Sequence, residues 1–463
     1  MKKALYIMIT TALFTACSQD DTFFQENERV KMEEPSVIDG SIVSKTGAVK
    51  AARTFMRKVK STDVDTRYED SFDVDTVFTM YDVDDRTPLI YIINWEGNEG
   101  YTIMSSSEKT TPVLAFSEEG SFDIMDMKGA EIYIDMYKNL VRDSKDDSLE
   151  VAERTEHLLE WTALKSGILM ETRYSSSNPV IQAEIDRKES LGYTCIGTIS
   201  SLQQYLTTSE YTTLYNNLHQ VANTNYDFDE YALAFVGLQW TPNHHLMNTT
   251  WHQGSPFNVG TSNGYAGCVP IAVAQIVNYH KYPNIYNWSG IYPLSENNSD
   301  FVYFMTDIRQ RCNAVEEEEG TSASLYDAYN AMVGLGYSVT LGGAPSFESM
   351  RNQIMLGQPV LMGGYPYNSI ESLGHAWVCE GYHPSAQYVA SVSFPFYGPK
   401  FYKESEFFIE YNSTVSYTSS HFFYMNFGDT SGVNGWFTYN CQNPSTGQNF
   451  FQYYQYTIFI SKP

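Results

Sequence analysis

The hydrophobic pattern changes period several times along the chain, and each change marks a different kind of segment. Ala4 to Ala16 is an uncharged apolar run of 13 residues behind Met1-Lys2-Lys3. That is too short for the ~20 residues that cross a bilayer, and its make-up is that of an export signal. Residues 18–38 are polar and read as a linker. From about Ser44, Ala48, Ala51, Ala52, Phe55, Met56 and Val59 recur at helical spacing and predict an amphipathic helix. Strand-like stretches follow at Val77–Tyr81, Leu89–Trp95, Gly100–Met104 and Val113–Phe116. Asn94, Gly97, Asn98 and Gly100 supply turn chemistry between the second and third, which predicts a hairpin. Helical spacing returns over Ile132–Arg142 and Ser148–Leu169, whereas residues 170–230 carry little pattern beyond a helix near Ile199–Leu206. The expected division is 1–17 signal, 18–38 linker, 39–135 a small α+β module, 136–230 a connecting region and 231–463 a C-terminal module.

Composition narrows the class. The 463 residues hold 29 Lys and Arg against 55 Asp and Glu, a net charge of −26. That field repels phosphate backbones and anionic lipid heads, so no nucleic-acid partner is expected. With 36 Tyr and 26 Phe the chain is well supplied for pleated sheets packed on a core. Six Cys in so long a chain are no disulfide framework. The acidic run Glu316–Glu319 ends at Gly320 and reads as a solvated loop.

The first apolar run ends Leu13-Phe14-Thr15-Ala16-Cys17. This is similar to a bacterial lipobox, in which the Cys is acylated and becomes the new N-terminus. Phe14 departs from the small aliphatic usual there, while Ser18-Gln19-Asp20-Asp21 suits a tether. The chain is therefore expected to be exported, as an outer-membrane or cell-surface lipoprotein anchored through Cys17, or as a secreted protein if Cys17 is incidental. An N-terminal lipid anchor is the only membrane contact expected.

The chemistry-bearing positions lie in the C-terminal half. Gly264-Tyr265-Ala266-Gly267-Cys268-Val269-Pro270 leads from a Gly-rich loop into an apolar helix that runs on through Ala274-Gln275-Ile276 to His280. Pro270 is tolerated only in a first turn, which puts Cys268 at the helix start, and Pro283 marks the end. A helix N-terminus favours a thiolate. The competing reading is a buried structural thiol. A thiolate nucleophile needs a base, and His280 is ~18 Å away along the helix at ~1.5 Å per residue. Leu373-Gly374-His375-Ala376-Trp377-Val378-Cys379-Glu380-Gly381-Tyr382 alternates like a strand, with His375 at its mouth. Cys379 lies ~13 Å further along the strand and reads as a core thiol. Cys268 and His375 are 107 residues apart, and spacing alone does not bring them together.

From Trp251 onward the residues resemble the streptopain-like cysteine peptidases, bacterial enzymes with a papain-like fold. The resemblance is carried by Trp251-His252-Gln253 with Pro256-Phe257-Asn258, and by Gly267-Cys268-Val269 with Ala274-Gln275-Ile276. Ser324–Ala331 with Gly336-Tyr337, and Gly374-His375-Ala376-Trp377 with Gly381-Tyr382, continue it in order. Gly100–Ser106 and Pro112–Ser117 resemble the family's pro-domain more weakly. The resemblance implies a papain-like α+β fold behind a small α+β pro-domain. It also implies a zymogen in which the pro-domain is an intramolecular inhibitor, a protein or peptide substrate, and no cofactor or metal. Cys268 would be the nucleophile, His375 its partner and Gln253 an oxyanion donor. Thr321, Ser322 and Gly374 would line the substrate side.

One block departs from the family pattern. The Asn-Trp-Gly-Trp-Gly-Gly run that orients and shields the histidine is matched only by Met425-Asn426-Phe427-Gly428-Asp429 and Asn434-Gly435-Trp436-Phe437. An aromatic-rich insertion, about His383–His421, precedes it and suggests an extra hairpin. Asn426 is the candidate third residue. Activation cleavage is expected between about Met170 and Asp227. Other readings stay open on sequence alone. One is a catalytically degenerate relative that binds peptides or host proteins, and another is a carbohydrate-binding lipoprotein. A third is a metal hydrolase on His244, His245, His252 and His280, which lacks a His-Glu-x-x-His run.

Overall fold

The structure, a computed structural model, describes residues 42–60, 72–145, 157, 160–161, 164–165, 174–190, 193–204, 208–222, 232–239, 243–318, 320–365, 374–395, 408–411, 416–428, 432–439 and 455–463. The signal run, Cys17 and the polar linker lie outside the described residues.

β2 (Pro88–Trp95) buries every residue after Pro88 because each of its faces meets a helix. A strand alternates its side chains. Tyr91, Ile93 and Trp95 therefore pack with Ala48, Ala51, Ala52, Phe55 and Met56 of α1 (Lys45–Lys60). Ile90 and Ile92 face Ile132, Tyr133, Met136 and Tyr137 of α2 (Glu131–Asp143). β1 (Val74–Tyr81), β3 (Tyr101–Ser105) and β4 (Val113–Ser117) complete an antiparallel meander, and β2–β3 is the hairpin that the turn residues predict.

β4 is not the edge of this sheet. Phe116 and Ala115 pair with Trp436 and Phe437 of β15 (Gly435–Thr438). The order then continues through β14 (Ser416–Asn426), β12 (His375–Pro395), β11 (Val360–Gly364) and β16 (Gln455–Ser461) to β10 (Ser338–Leu341). The pairs along this path are antiparallel. The Cys268–His280 helix is buried from Val269 to Asn278. It packs on Leu361, Ala376, Val378, Ile458 and Ile460 of the sheet and on two flanking helices, Ser299–Arg311 and Leu325–Gly334. Trp377, Cys379, Phe423, Phe427 and Phe437 point to the other face, where they share a core with α2. This is the expected α+β arrangement of a central helix on an antiparallel sheet behind a small α+β module.

Two stretches have more structure than their pattern suggests. Residues 174–222 hold a helix, Pro179–Ser190, then β5 (Tyr193–Thr198) and a second helix, Thr208–Ala222. The helix expected near Ile199–Leu206 is a 3-10 turn, Ile199–Gln204. β5 pairs with β6 (Leu233–Gln239), and β6 pairs with β12. Such long-range pairing leaves no local period. The insertion forms a long antiparallel hairpin in which β12 pairs with β13 (Phe408–Tyr411) and β14.

Phe116 sits at the joint between the two halves. It is wholly buried, meets Phe55 and Phe422 edge-on at 5.0 and 5.2 Å, and stacks on Trp436 at 6.3 Å. Phe116→Ala is expected to cost about 3–5 kcal/mol, read as a lowered denaturant midpoint of the full chain. An unchanged midpoint would show that the aromatic joint contributes nothing to stability.

Candidate active site

The Cys268 helix begins where a glycine lets it. Gly267 sits at φ 91°, and a Cβ there would come within 3.1 Å of Thr321. This positive φ turns the chain into the helix while β9 (Gly320–Ser322) lies against it. The Ala266 N–H donates to the Gln253 carbonyl at 2.9 Å, so the Trp251-His252-Gln253 segment runs beside the loop that delivers Cys268. Trp251 anchors that segment, buried and stacked on Phe257 at 5.1 Å. The Thr321 hydroxyl donates to the Tyr265 carbonyl at 2.7 Å, and the Ser322 hydroxyl donates to Glu317 Oε1 at 2.7 Å. Both side chains are buried and occupied in holding the wall together. Thr321 lies against Gly267 with both its methyl and its carbonyl.

His375 opens β12 and is 3% exposed. Its imidazole is hydrogen-bonded to the Cys268 thiol, joining the two residues that sequence spacing leaves apart. Burial pushes that thiol up, but the charge and hydrogen bond of His375, with the N–H groups of Ala376 and Val269, outweigh it. The net effect holds the thiol below its ordinary range. Cys312 and Cys379 have no imidazole beside them, and burial, with the charges of Asp327 and Glu380 adding to it, pushes their thiols up. Gly374, just before His375, is buried.

His375 Nε2 lies 2.7 Å from the carbonyl oxygen of Phe427. The Asn426 side chain does not take that position. Its Nδ2 donates to the Thr249 carbonyl at 2.8 Å, to Gln275 Oε1 at 3.0 Å and to Glu380 Oε1 at 3.0 Å. The group that orients the imidazole is thus the carbonyl one residue on, and every residue carries a carbonyl, so no sequence signal marks it. Phe427 is wholly buried, with its ring 6.4 Å from the imidazole, and supplies the apolar shield.

The N-terminal module reaches the same histidine. Residues Lys128–Ala130 form a 3-10 turn into α2. A Cβ at Gly129 would overlap the His375 ring and come within 2.6 Å of Phe427 Cδ1. Only a glycine lets backbone approach an imidazole so closely. Glu131 follows at the start of α2. Burial pushes its carboxyl up to about 7, with the charge of His375 working against that rise and Asp135 adding to it. This carboxyl titrates higher in the folded chain than its ordinary 4.5. Its contribution to stability is therefore present in full below that ordinary value and is lost as pH rises through about 7. Glu131→Gln is expected to flatten that part of the curve of unfolding temperature against pH. An identical curve for both chains would remove Glu131 from the contact.

Residues 40–141 match the family described as Spi protease inhibitor, and residues 251–314 match the Peptidase C10 family. No curated protein matches the chain. Among solved structures, a fragment of prointerpain A from Prevotella intermedia is similar at 13% identity and a TM-score of 0.42, over 84% of this chain and 99% of that one. Active interpain A cysteine protease from the same organism is similar at 18% identity and a TM-score of 0.32, over 47% of this chain and 95% of that one.

Proposed function

We infer, from a chain that joins a segment matching the Spi protease inhibitor family to a segment matching the Peptidase C10 family, that it is an exported cysteine endopeptidase made as a zymogen, with Cys268 and His375 as its catalytic pair. The observation that carries the assignment is the Cys268 thiol, at a helix start, hydrogen-bonded to the His375 imidazole and held below its ordinary range.

The chemistry follows from that pair. Cys268, as thiolate, attacks the scissile carbonyl while His375 carries the proton. His375 gives that proton to the leaving amine, and a thioester to Cys268 remains. Water, deprotonated by His375, then hydrolyses the thioester and frees the acid. The oxyanion of both steps is met by the Cys268 N–H, in the first turn of the helix, and by the Gln253 side-chain amide. Gln253 suits this role because its backbone is tied two residues before Cys268, through Ala266. Gly374 and the Gly320–Ser322 wall flank the bound peptide with backbone groups. Asn426 acts behind the histidine and not on it. Gly129 of the N-terminal module lies against His375, where a substrate would have to pass, and this contact keeps the zymogen silent.

The same conversion assay tests both halves of this reading. The full chain without residues 1–17 is expected to shorten itself on incubation and then to cleave casein, followed by mass spectrometry. Cys268→Ala should leave the chain intact indefinitely with its unfolding midpoint retained. A Cys268→Ala chain that still processes itself would sink the nucleophile. Gly129→Ala should convert roughly tenfold faster or more, because an added methyl in a packed contact costs about 1–3 kcal/mol of docking. An unaltered rate would mean that Gly129 does not hold the inhibitor in place.

Export and anchoring are read from the N-terminus, where an apolar run ends at Cys17. Acylated Cys17 would tether the mature chain outside the cytoplasm through the polar stretch that follows. Cys17→Ser should move the chain from the membrane fraction to the soluble fraction of a host that processes lipoproteins. Retention in the membrane would rule out this anchor.

A further inference from the structure

The carbonyl that receives His375 Nε2 belongs to the peptide unit between Phe427 and Gly428. The other pole of that unit, the Gly428 N–H, donates to Asn426 Oδ1 at 3.1 Å. A trans peptide is planar, with its C=O and N–H pointing in opposite directions. One rigid plate therefore carries the imidazole on one edge and the Asn426 amide on the other. The Phe427 N–H, donated to Asn434 Oδ1 at 2.8 Å, fixes the preceding plate as well.

Asn426 is itself clamped from two further elements. Gln275, on the Cys268 helix, accepts from Asn426 Nδ2 at 3.0 Å and returns a longer bond, Nε2 to Asn426 Oδ1, at 3.4 Å. Glu380 lies on β12, five residues past His375, where a register shift between Cys379 and Gly381 interrupts the ladder. Such irregularities re-aim side chains, and this one coincides with a carboxylate that reaches Asn426 at 3.0 Å. Thr249 adds its carbonyl at 2.8 Å. Asn426 and Gln275 are fully buried and Glu380 is 1% exposed. Glu380 Oε2 has no hydrogen-bond partner among the described residues. Glu380 Oε1 also lies 3.7 Å from His245 Nε2, and burial pushes the Glu380 carboxyl up against the pull of that imidazole. A buried pair of this kind is weak reason for stability alone, since apolar side chains of similar volume often serve as well. The helix of the nucleophile, the strand of the histidine and the strand that supplies the carbonyl each send one polar side chain to a single buried point.

We propose that Glu380 and Gln275 are positioning residues, which clamp Asn426 and, through the 427–428 peptide, set the carbonyl that holds the His375 imidazole towards Cys268. The proposal rests on the reading of Cys268 and His375 as the catalytic pair. The charged or titratable groups that face His375 are Cys268 and, from the N-terminal module, Glu131. Those that face the clamp are His245, Tyr279 and Tyr424, all set against Glu380.

The test follows kcat and KM for a fluorogenic peptide across pH, using the full chain converted by limited proteolysis. Glu380→Leu should lower kcat about a hundredfold, the scale of a small misplacement of reacting groups, with KM nearly unchanged. It should also shift the alkaline limb of kcat to lower pH, because an imidazolium that loses its acceptor gives up its proton more easily. Glu380→Gln keeps an acceptor oxygen for Asn426 and should recover most of the loss. If Glu380→Leu does not fold, Gln275→Leu makes the same test from the helix side, with a smaller shift of the same limb. Either folded variant with an unmoved limb and a lowered unfolding temperature shows a structural role only and overturns the clamp. An unsubstituted chain that hydrolyses no peptide overturns the catalytic reading and the clamp with it.

Discussion

Two backbone pairs, Phe116 with Trp436 and Ala115 with Phe437, turn what would be two sheets into one. An unpaired β4 would present a row of free N–H and C=O groups to water, and so would β15. Pairing the two satisfies both edges and brings the aromatic side chains of each into shared cores. The Tyr101 hydroxyl, donated to the Val433 carbonyl at 2.9 Å, ties the same joint from the neighbouring strand. Once the two sheets are continuous, α2 has one place to lie. It covers the face that carries Trp377, Phe427 and Phe437, with Tyr133 meeting their rings at 6.0, 5.9 and 4.7 Å. The turn that starts α2 then falls on His375. The inhibition we propose would then be a by-product of sheet completion, with Gly129 as the residue that lets backbone lie against His375.

Much of this was legible from residue pattern. The run Leu89–Trp95 reads as a strand because it is apolar throughout, and it is so because both its faces are covered. The Gly-rich loop, Pro270 and Pro283 delimit the Cys268 helix to within a residue or two, since each is a backbone constraint and not a matter of packing. His375 at the mouth of an alternating segment was equally visible. The elements between residues 174 and 222 were not, because β5 finds its partner in β6 and, through it, in a strand nearly two hundred residues further on. The partner of His375 was missed for a different reason. Asn426 is where a side-chain search stops, whereas the working group is the next backbone carbonyl, which has no residue identity. Gly129 was also silent in the sequence, as one small residue in a loop whose importance comes wholly from what lies against it.

The state of the Cys268 thiol reflects opposing demands. A nucleophile must be sheltered enough for its charge interactions to be strong, yet shelter by itself drives a thiol towards its neutral form. Cys312 and Cys379 show the outcome without an imidazole partner, and both are pushed up, first by burial and then by the charges of Asp327 and Glu380. Cys268 escapes because the start of a helix and the start of a strand meet there. The Val269 N–H comes from the first, and His375 with the Ala376 N–H from the second.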